Sequence, residues 1–288
     1  MHGQEVVDGV AAHTHGTAHE GAQHAAHELP NFITVLKAYF PDAGFTHFFH
    51  QWENVLFTLI AVSVILITAL RAGSKKSLIP TGLQNFWEVL ADGIAGFVTG
   101  ILGEKHAKDH IPFLGTVFVY ILLQNWMGLI PFFKSPTSSW GTTIAVALAT
   151  TVYIQYTGIT KQGPLHYIKH LAGNPANAFG LILIPLMLII NLTVEFIAVP
   201  LSLSLRLFAN VSSEDRLLFN FAHLTVQMSP LLGLFQLFAN ILAVAFSVVQ
   251  AFVFMLLSTV YISLVLPHEQ HGHEEHGEPH AHGTISAH

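Results

Sequence analysis

Two apolar runs near the end of this chain are too long for the structures such runs ordinarily make. The sequence is apolar from Phe179 to about Leu224 and again from Leu231 to Leu266. At a rise of about 1.5 Å per residue these would be helices of roughly 70 and 55 Å, against a hydrocarbon core of about 30 Å. Each is either a hairpin of two spans or one helix at a steep tilt. A hairpin needs a polar, breakable turn near its middle. The first run offers only Pro200, in AVPLSLS, and the second has no Gly or Pro after Gly233. One tilted helix is expected in each case. The composition agrees with a membrane protein: 52% of the 288 residues are hydrophobic and 10% charged, and the mean hydropathy is +0.54, outside the usual globular balance.

Three further crossings are expected upstream. NVLFTLIAVSVILITAL, about 54 to 70, is followed at once by Arg71, Lys75 and Lys76; PFLGTVFVYILLQNWMGLIPFF runs from 112 to 133; TTIAVALATTVYIQYTGIT, 142 to 160, precedes Lys161 and Lys169. Basic residues beside short loops mark the cytoplasmic side, so the N-terminus is expected outside and the C-terminus inside. Only Lys134 breaks the pattern. In GLQNFWEVLADGIAGFVTGILG, 82 to 103, the apolar positions Leu83, Phe86, Leu90, Ile94, Phe97 and Ile101 recur at helical spacing while Glu88 and Asp92 fall off the stripe. That pattern suits a helix lying in the interface. The expected fold is all-α and integral to the membrane, with five crossing helices and one interfacial amphipathic helix, the last two helices long and steeply tilted. Its parts are a His-rich extracytoplasmic segment (1–50), a membrane domain (51–267) and a His-rich cytoplasmic tail (268–288).

The tails hold fifteen of the chain's 20 histidines. Imidazoles without a fold to fix their geometry buffer or bind promiscuously, so no metal site and no cofactor are expected there. The chain has no cysteine and a formal charge of -6, which excludes disulfides and gives no nucleic-acid signal. The first thirty residues show neither a basic start nor an apolar run, so no signal or transit peptide is expected.

Within this apolar context stands Arg206. A guanidinium keeps its proton at any pH a cell uses, and an arginine at the bilayer centre costs about 2.5 to 3.5 kcal/mol on insertion scales. On a regular helix at about 100° per residue, Glu195 lies some 20° from Arg206, and Ser202, Asn210 and Ser213 within about 40°. Glu214 is about 80° off that stripe and Asp215 roughly opposite. Along the axis Glu195 is about 16 Å toward the cytoplasm and the acid pair about 13 Å toward the exterior. A fixed positive charge with an ionisable acid on either side is what a proton route broken at its middle requires. A buried ion pair holding helices together is the structural counterpart of that reading. On the last helix Gln236, Ser247, Gln250 and Tyr261 share one side, Gln250 serving equally as an interhelical hydrogen bond. Ser202 and Ser204 read as small residues that allow close packing.

PLSLSLRLFAN resembles the signature of subunit a of the F-type ATP synthase. IPTGLQNFWE at 79–88, NWMGLIP at 125–131 and VQAFVFMLLSTVYIS at 249–263 are similar to the family's further motifs, in the same order. The resemblance covers most of residues 50 to 267. It implies a stator wall, not catalytic alone, set against a ring of small c subunits in the rotary proton-transporting ATP synthase. Each ring subunit would carry one membrane carboxylate. Arg206 matches the essential arginine that attracts this carboxylate and separates two offset half-channels. Glu195 would line the cytoplasmic half-channel; Asn210, Glu214 and Asp215 the outer one; Gln250 matches the glutamine facing the arginine. Implied partners are the c-ring, peripheral-stalk b subunits, the lipid bilayer and the protons carried, in a bacterial inner membrane. Ala243 and Gly128 stand where many relatives carry ionisable residues, a pattern that looks more like the chloroplast and cyanobacterial branch. The alternatives are a stand-alone ion-coupled secondary transporter, for which inverted repeats would be expected, and a metal-handling membrane protein, for which only His223 lies near the long helices.

Overall fold

The computed structural model describes residues 31–39, 48–49, 51–74, 82–130, 132–173, 178–227 and 233–266. Lys75, Lys76 and the His-rich stretches at 1–30 and 268–288 lie outside the described residues.

Among the described residues the regular structure is entirely helical. A short α1, Phe32–Tyr39, precedes α2, Glu53–Ser74. α2 is almost continuously aliphatic, yet only Glu53, Phe57 and Ala61 are buried along it. The remaining side chains, Leu59, Leu66 and Ile67 among them, face outward. An apolar exterior of this kind is what lipid requires and water does not permit.

α3, Leu83–Met127, is one element of 45 residues with a break at Gly103, whose φ of 74° and ψ of 160° are open to glycine alone. The break falls where the expected surface helix ends. Before it, Ile94, Val98 and Leu102 face the core at i, i+4, i+8, while Glu88 and Asp92 are exposed. After it the helix resumes at once, so that GEKHAKDH is helical and the second half begins well before residue 112; it stops at Met127 and not near 133. Residues 132–135 and a 3₁₀ turn at Pro136–Ser138 then lead to α4, Trp140–Gln162. Gly163 reverses the chain into α5, Pro164–Leu171.

Apolar residues 178 to 227 form one uninterrupted helical path: α6, Ala178–Thr193, a π turn at Val194–Ala198, and α7, Val199–Gln227. α8 is Gly233–Val265. No hairpin turn interrupts either run. The π turn has a local cause. Pro200 cannot donate to the carbonyl four residues back and its ring crowds that carbonyl; the preceding turn widens, and Val199 N–H bonds the Val194 carbonyl, five residues back.

The core lies where α3, α4, α7 and α8 meet. Leu114 and Ile121 come from α3, Leu203 and Leu207 from α7, Phe254 and Ile262 from α8, all essentially inaccessible. Four helical stretches are long and apolar enough to cross a membrane: Glu53–Ser74, Leu83–Met127, Leu183–Thr225 and Gly233–Val265. α4, the remaining expected crossing, has 23 residues but carries Thr143, Thr150, Thr151, Gln155 and Thr157 on its buried face. That face packs against α7 and α8, so protein rather than lipid receives those hydroxyls, each threonine bonding a carbonyl one turn back. Ion pairs sit at opposite ends of α3's second half. Lys161 joins Asp109 at 2.6 Å, and Lys134, the residue that broke the charge pattern, joins the buried Glu53 at 3.6 Å.

Candidate functional site

Arg206 lies two turns into α7, half-buried, between a buried face carrying Leu203, Leu207 and Val211 and an exposed face carrying Ser202, Leu205, Ala209 and Ser213. Among the described residues no carboxylate comes within ion-pairing distance of its guanidinium. The structural reading of Arg206, a buried pair with Glu195 or Glu214, finds no counterpart in this geometry.

One turn on, Asn210 Nδ2 donates to Gln250 Oε1 at 2.6 Å, tying α7 to α8 beside the arginine. Gln250 is 5% exposed, and its own Nε2 meets no acceptor among the described residues. Toward the end of α7, a cavity of about 600 Å³ opens between α7 and α8. Its polar lining is Asn125, Asn210, Ser213, Glu214 and Gln250, and Ala243 is part of its apolar wall. The Ser247 hydroxyl, from α8, donates to Glu214 Oε1 at 3.5 Å.

The two adjacent acids diverge. Glu214 enters the α7–α8 cavity, while Asp215 turns toward the end of α3, where its Oδ1 is 3.3 Å from the position a Cβ on residue 128 would take. Gly128 leaves that space to the carboxylate. The same Cβ would stand 2.9 Å from Ser135 Cβ. Ser135 and Thr137 share a hydrogen bond of 2.7 Å, and Thr137 donates to Asn125 Oδ1 at 2.7 Å, so polar groups continue from the cavity into the loop beyond α3.

Glu195 stands apart. It occupies the π turn, where an extra residue per turn rotates everything upstream by about 100° relative to a regular helix. The five-residue stripe from Glu195 to Ser213 is therefore not kept. Glu195 Oε2 accepts hydrogen bonds from Tyr167 Oη on α5 at 2.7 Å and from Gln155 Nε2 on α4 at 3.3 Å, whereas Asn210, on the arginine's face, bonds α8. Gln155 was visible as a polar residue in an apolar run but not singled out, and Ser247 was placed on the polar side of the last helix without a role. Tyr167 left no signal in a segment lacking membrane character. Asn125 sits inside NWMGLIP without having been assigned a role.

The model of the ATP synthase A chain family matches residues 55–263. This chain belongs to that family. Among its relatives, the ATP synthase subunit a of Protochlamydia amoebophila is 37% identical over 257 residues, 88% of this chain and 94% of that protein. That of Aliarcobacter butzleri is 35% identical over 223 residues, 77% of this chain and 92% of that protein. That of Helicobacter acinonychis is 33% identical over 233 residues, 81% and 98% respectively. Every motif on which the resemblance to subunit a rested lies in the matched segment, and Arg206, Asn210, Glu214 and Gln250 all fall within it. Membership in the A chain family does not favour a free-standing secondary transporter.

Proposed function

We propose that this chain is the membrane stator subunit through which an F-type ATP synthase moves protons past its c-ring. The observation that carries the reading is Arg206: a permanent charge near the middle of the apolar helical path 178–227, at the edge of its exposed face, with no carboxylate of the described residues to pair with. Such a charge is costly in a bilayer and calls for a partner. A membrane carboxylate on each passing ring subunit supplies one. Because the guanidinium cannot discharge by giving up a proton, an ionised ring carboxylate is drawn to it and leaves only after accepting a proton from one side. Direct passage of protons between the two sides is blocked by the same charge.

The outer route runs through the α7–α8 cavity, with Asn210 and Gln250 at its inner end and Glu214 and Asp215 beyond. The inner route passes Glu195. In this reading α4 is a fifth crossing, the paths α6–α7 and α8 are steeply tilted, the N-terminus is extracytoplasmic and the C-terminus cytoplasmic. Peripheral-stalk b subunits complete the stator in a bacterial inner membrane. Lys105, Lys108, Lys161 and Lys169 then share the cytoplasmic side, and Lys134, on the outer side, is offset by Glu53.

ATP-driven acidification of inverted vesicles carrying Arg206→Ala tests the reading, with assembly followed by blotting. Loss of pumping in an assembled complex is expected. Normal pumping would refute it.

A further inference from the structure

Glu195 is held by groups that its own helix does not provide. The Tyr167 hydroxyl donates to its Oε2 and also lies against Gln155 Oε1, while Gln155 Nε2 donates to the same Oε2. Oε1 has no hydrogen-bond partner among the described residues. Both groups that hold the carboxylate are neutral; His166 and Lys169 of α5 are exposed and make no pair with it. The choice of neutral donors has a consequence for chemistry. A lysine or arginine partner would lock the carboxylate in its ionised form, whereas neutral donors steady one oxygen and let the other take up and release a proton.

The placement of the phenol is built into the fold. Tyr167 is 4% exposed on a helix of only eight residues, which is too short to persist without tertiary packing. Its ring lies on Gly158 of α4: a Cβ there would come within 2.8 Å of Tyr167 Cε2 and 3.3 Å of Val265 Cβ. Gly158 and Gln155 are three residues apart on one face of α4, so the same surface seats the ring and supplies the second donor. Gly163, at φ 82°, turns α5 back onto that face. Burial and the adjacent Glu195 carboxylate hold the Tyr167 hydroxyl above the ordinary phenol range, so it stays a donor and does not act as a base.

We infer that Tyr167, seated on Gly158, is a positioning residue for proton exchange at Glu195: it fixes Oε2 and turns Oε1 toward the inner route. The inference rests on the inner-route reading of Glu195 given above.

The test is the rate of ATP-driven acidification by the whole complex in inverted vesicles, where the medium sets the pH on the cytoplasmic side. Tyr167→Phe keeps the ring and removes the donor. The expected result is an assembled complex whose pumping falls roughly tenfold, the net worth of a hydrogen bond to a charged group. Its rate-against-pH curve should also be displaced by about one unit, which lost packing alone would not produce. Gly158→Ala, which unseats the ring, should change rate and curve in the same direction. In a Glu195→Gln background Tyr167→Phe should add nothing. Wild-type rate and curve in Tyr167→Phe, with Glu195→Gln blocked, would overturn the role of the tyrosine and leave the inner route standing. Normal pumping by Glu195→Gln would overturn both. Failure of Tyr167→Phe to assemble would make the hydroxyl structural and also refute the inference.

Discussion

At the scale of single residues, the membrane sector is organised by how each polar group is satisfied. Among the described residues Arg206 meets no carboxylate, which reserves its charge for a partner that comes and goes. Arg206→Lys tests charge against chemistry: an ammonium can shed its proton and lacks the planar fork, so the expected outcome is at least a tenfold loss of ATP-driven pumping together with a passive proton leak, read by quench of a pH dye. The Asn210–Gln250 bond is the converse case, a donor and an acceptor that meet within the chain. Removing the Asn210 amide leaves the buried Gln250 without its donor, at a cost of about 1–3 kcal/mol. Asn210→Ala and Gln250→Ala should each lower the thermal stability of the purified complex, and the double variant should lose less than the sum of the two. Additive losses would show that the two side chains act independently.

At the scale of elements, the decisive feature is the π turn at Val194–Ala198. It was not foreseen from a helical wheel, because a wheel assumes one angle per residue, and one widened turn moves Glu195 by about 100°. Pro200 was visible as a break in the apolar pattern; the side from which the break would be relieved was not. Pro200→Ala restores the missing N–H and permits a regular helix. It should return Glu195 toward the face of Arg206, break its bonds to Tyr167 and Gln155, and reduce pumping several-fold with assembly retained; solvent accessibility of a cysteine placed at 195 reports the rotation. The break in α3 shows the opposite relation. Gly103 ends the amphipathic stripe that sequence periodicity had already bounded, since both the stripe and its terminator are local. Gly128 acts through neighbours far along the chain. A methyl group at 128 would meet Ser135 and crowd Asp215, so Gly128→Ala should destabilise the complex by about 1–3 kcal/mol and lower pumping. Unchanged melting and pumping would mean that the loop yields freely.

At the scale of the whole molecule, the bundle covers the threonine-bearing face of α4 and offers the exposed apolar faces of α2, α4, α6 and α8 to lipid and partners. Deletion of residues 1–28 should leave ATP-driven pumping and assembly unchanged, and loss of pumping in an assembled truncation would give the tail a role in coupling.

Much of this was determined by the sequence alone. Apolar length fixed the membrane environment, charge in an apolar run fixed Arg206, and ordered motifs identified the family, because each of these depends on residues near one another in the chain. Tertiary structure decided the rest. Tyr167 meets Glu195 from 28 positions away, Asn210 meets Gln250 from 40, and Ser247 meets Glu214 from 33. Neither periodicity nor composition records such meetings, because they follow from how helices are rotated, broken and packed. One proline-driven change of pitch is enough to send a carboxylate from one face of a helix to another.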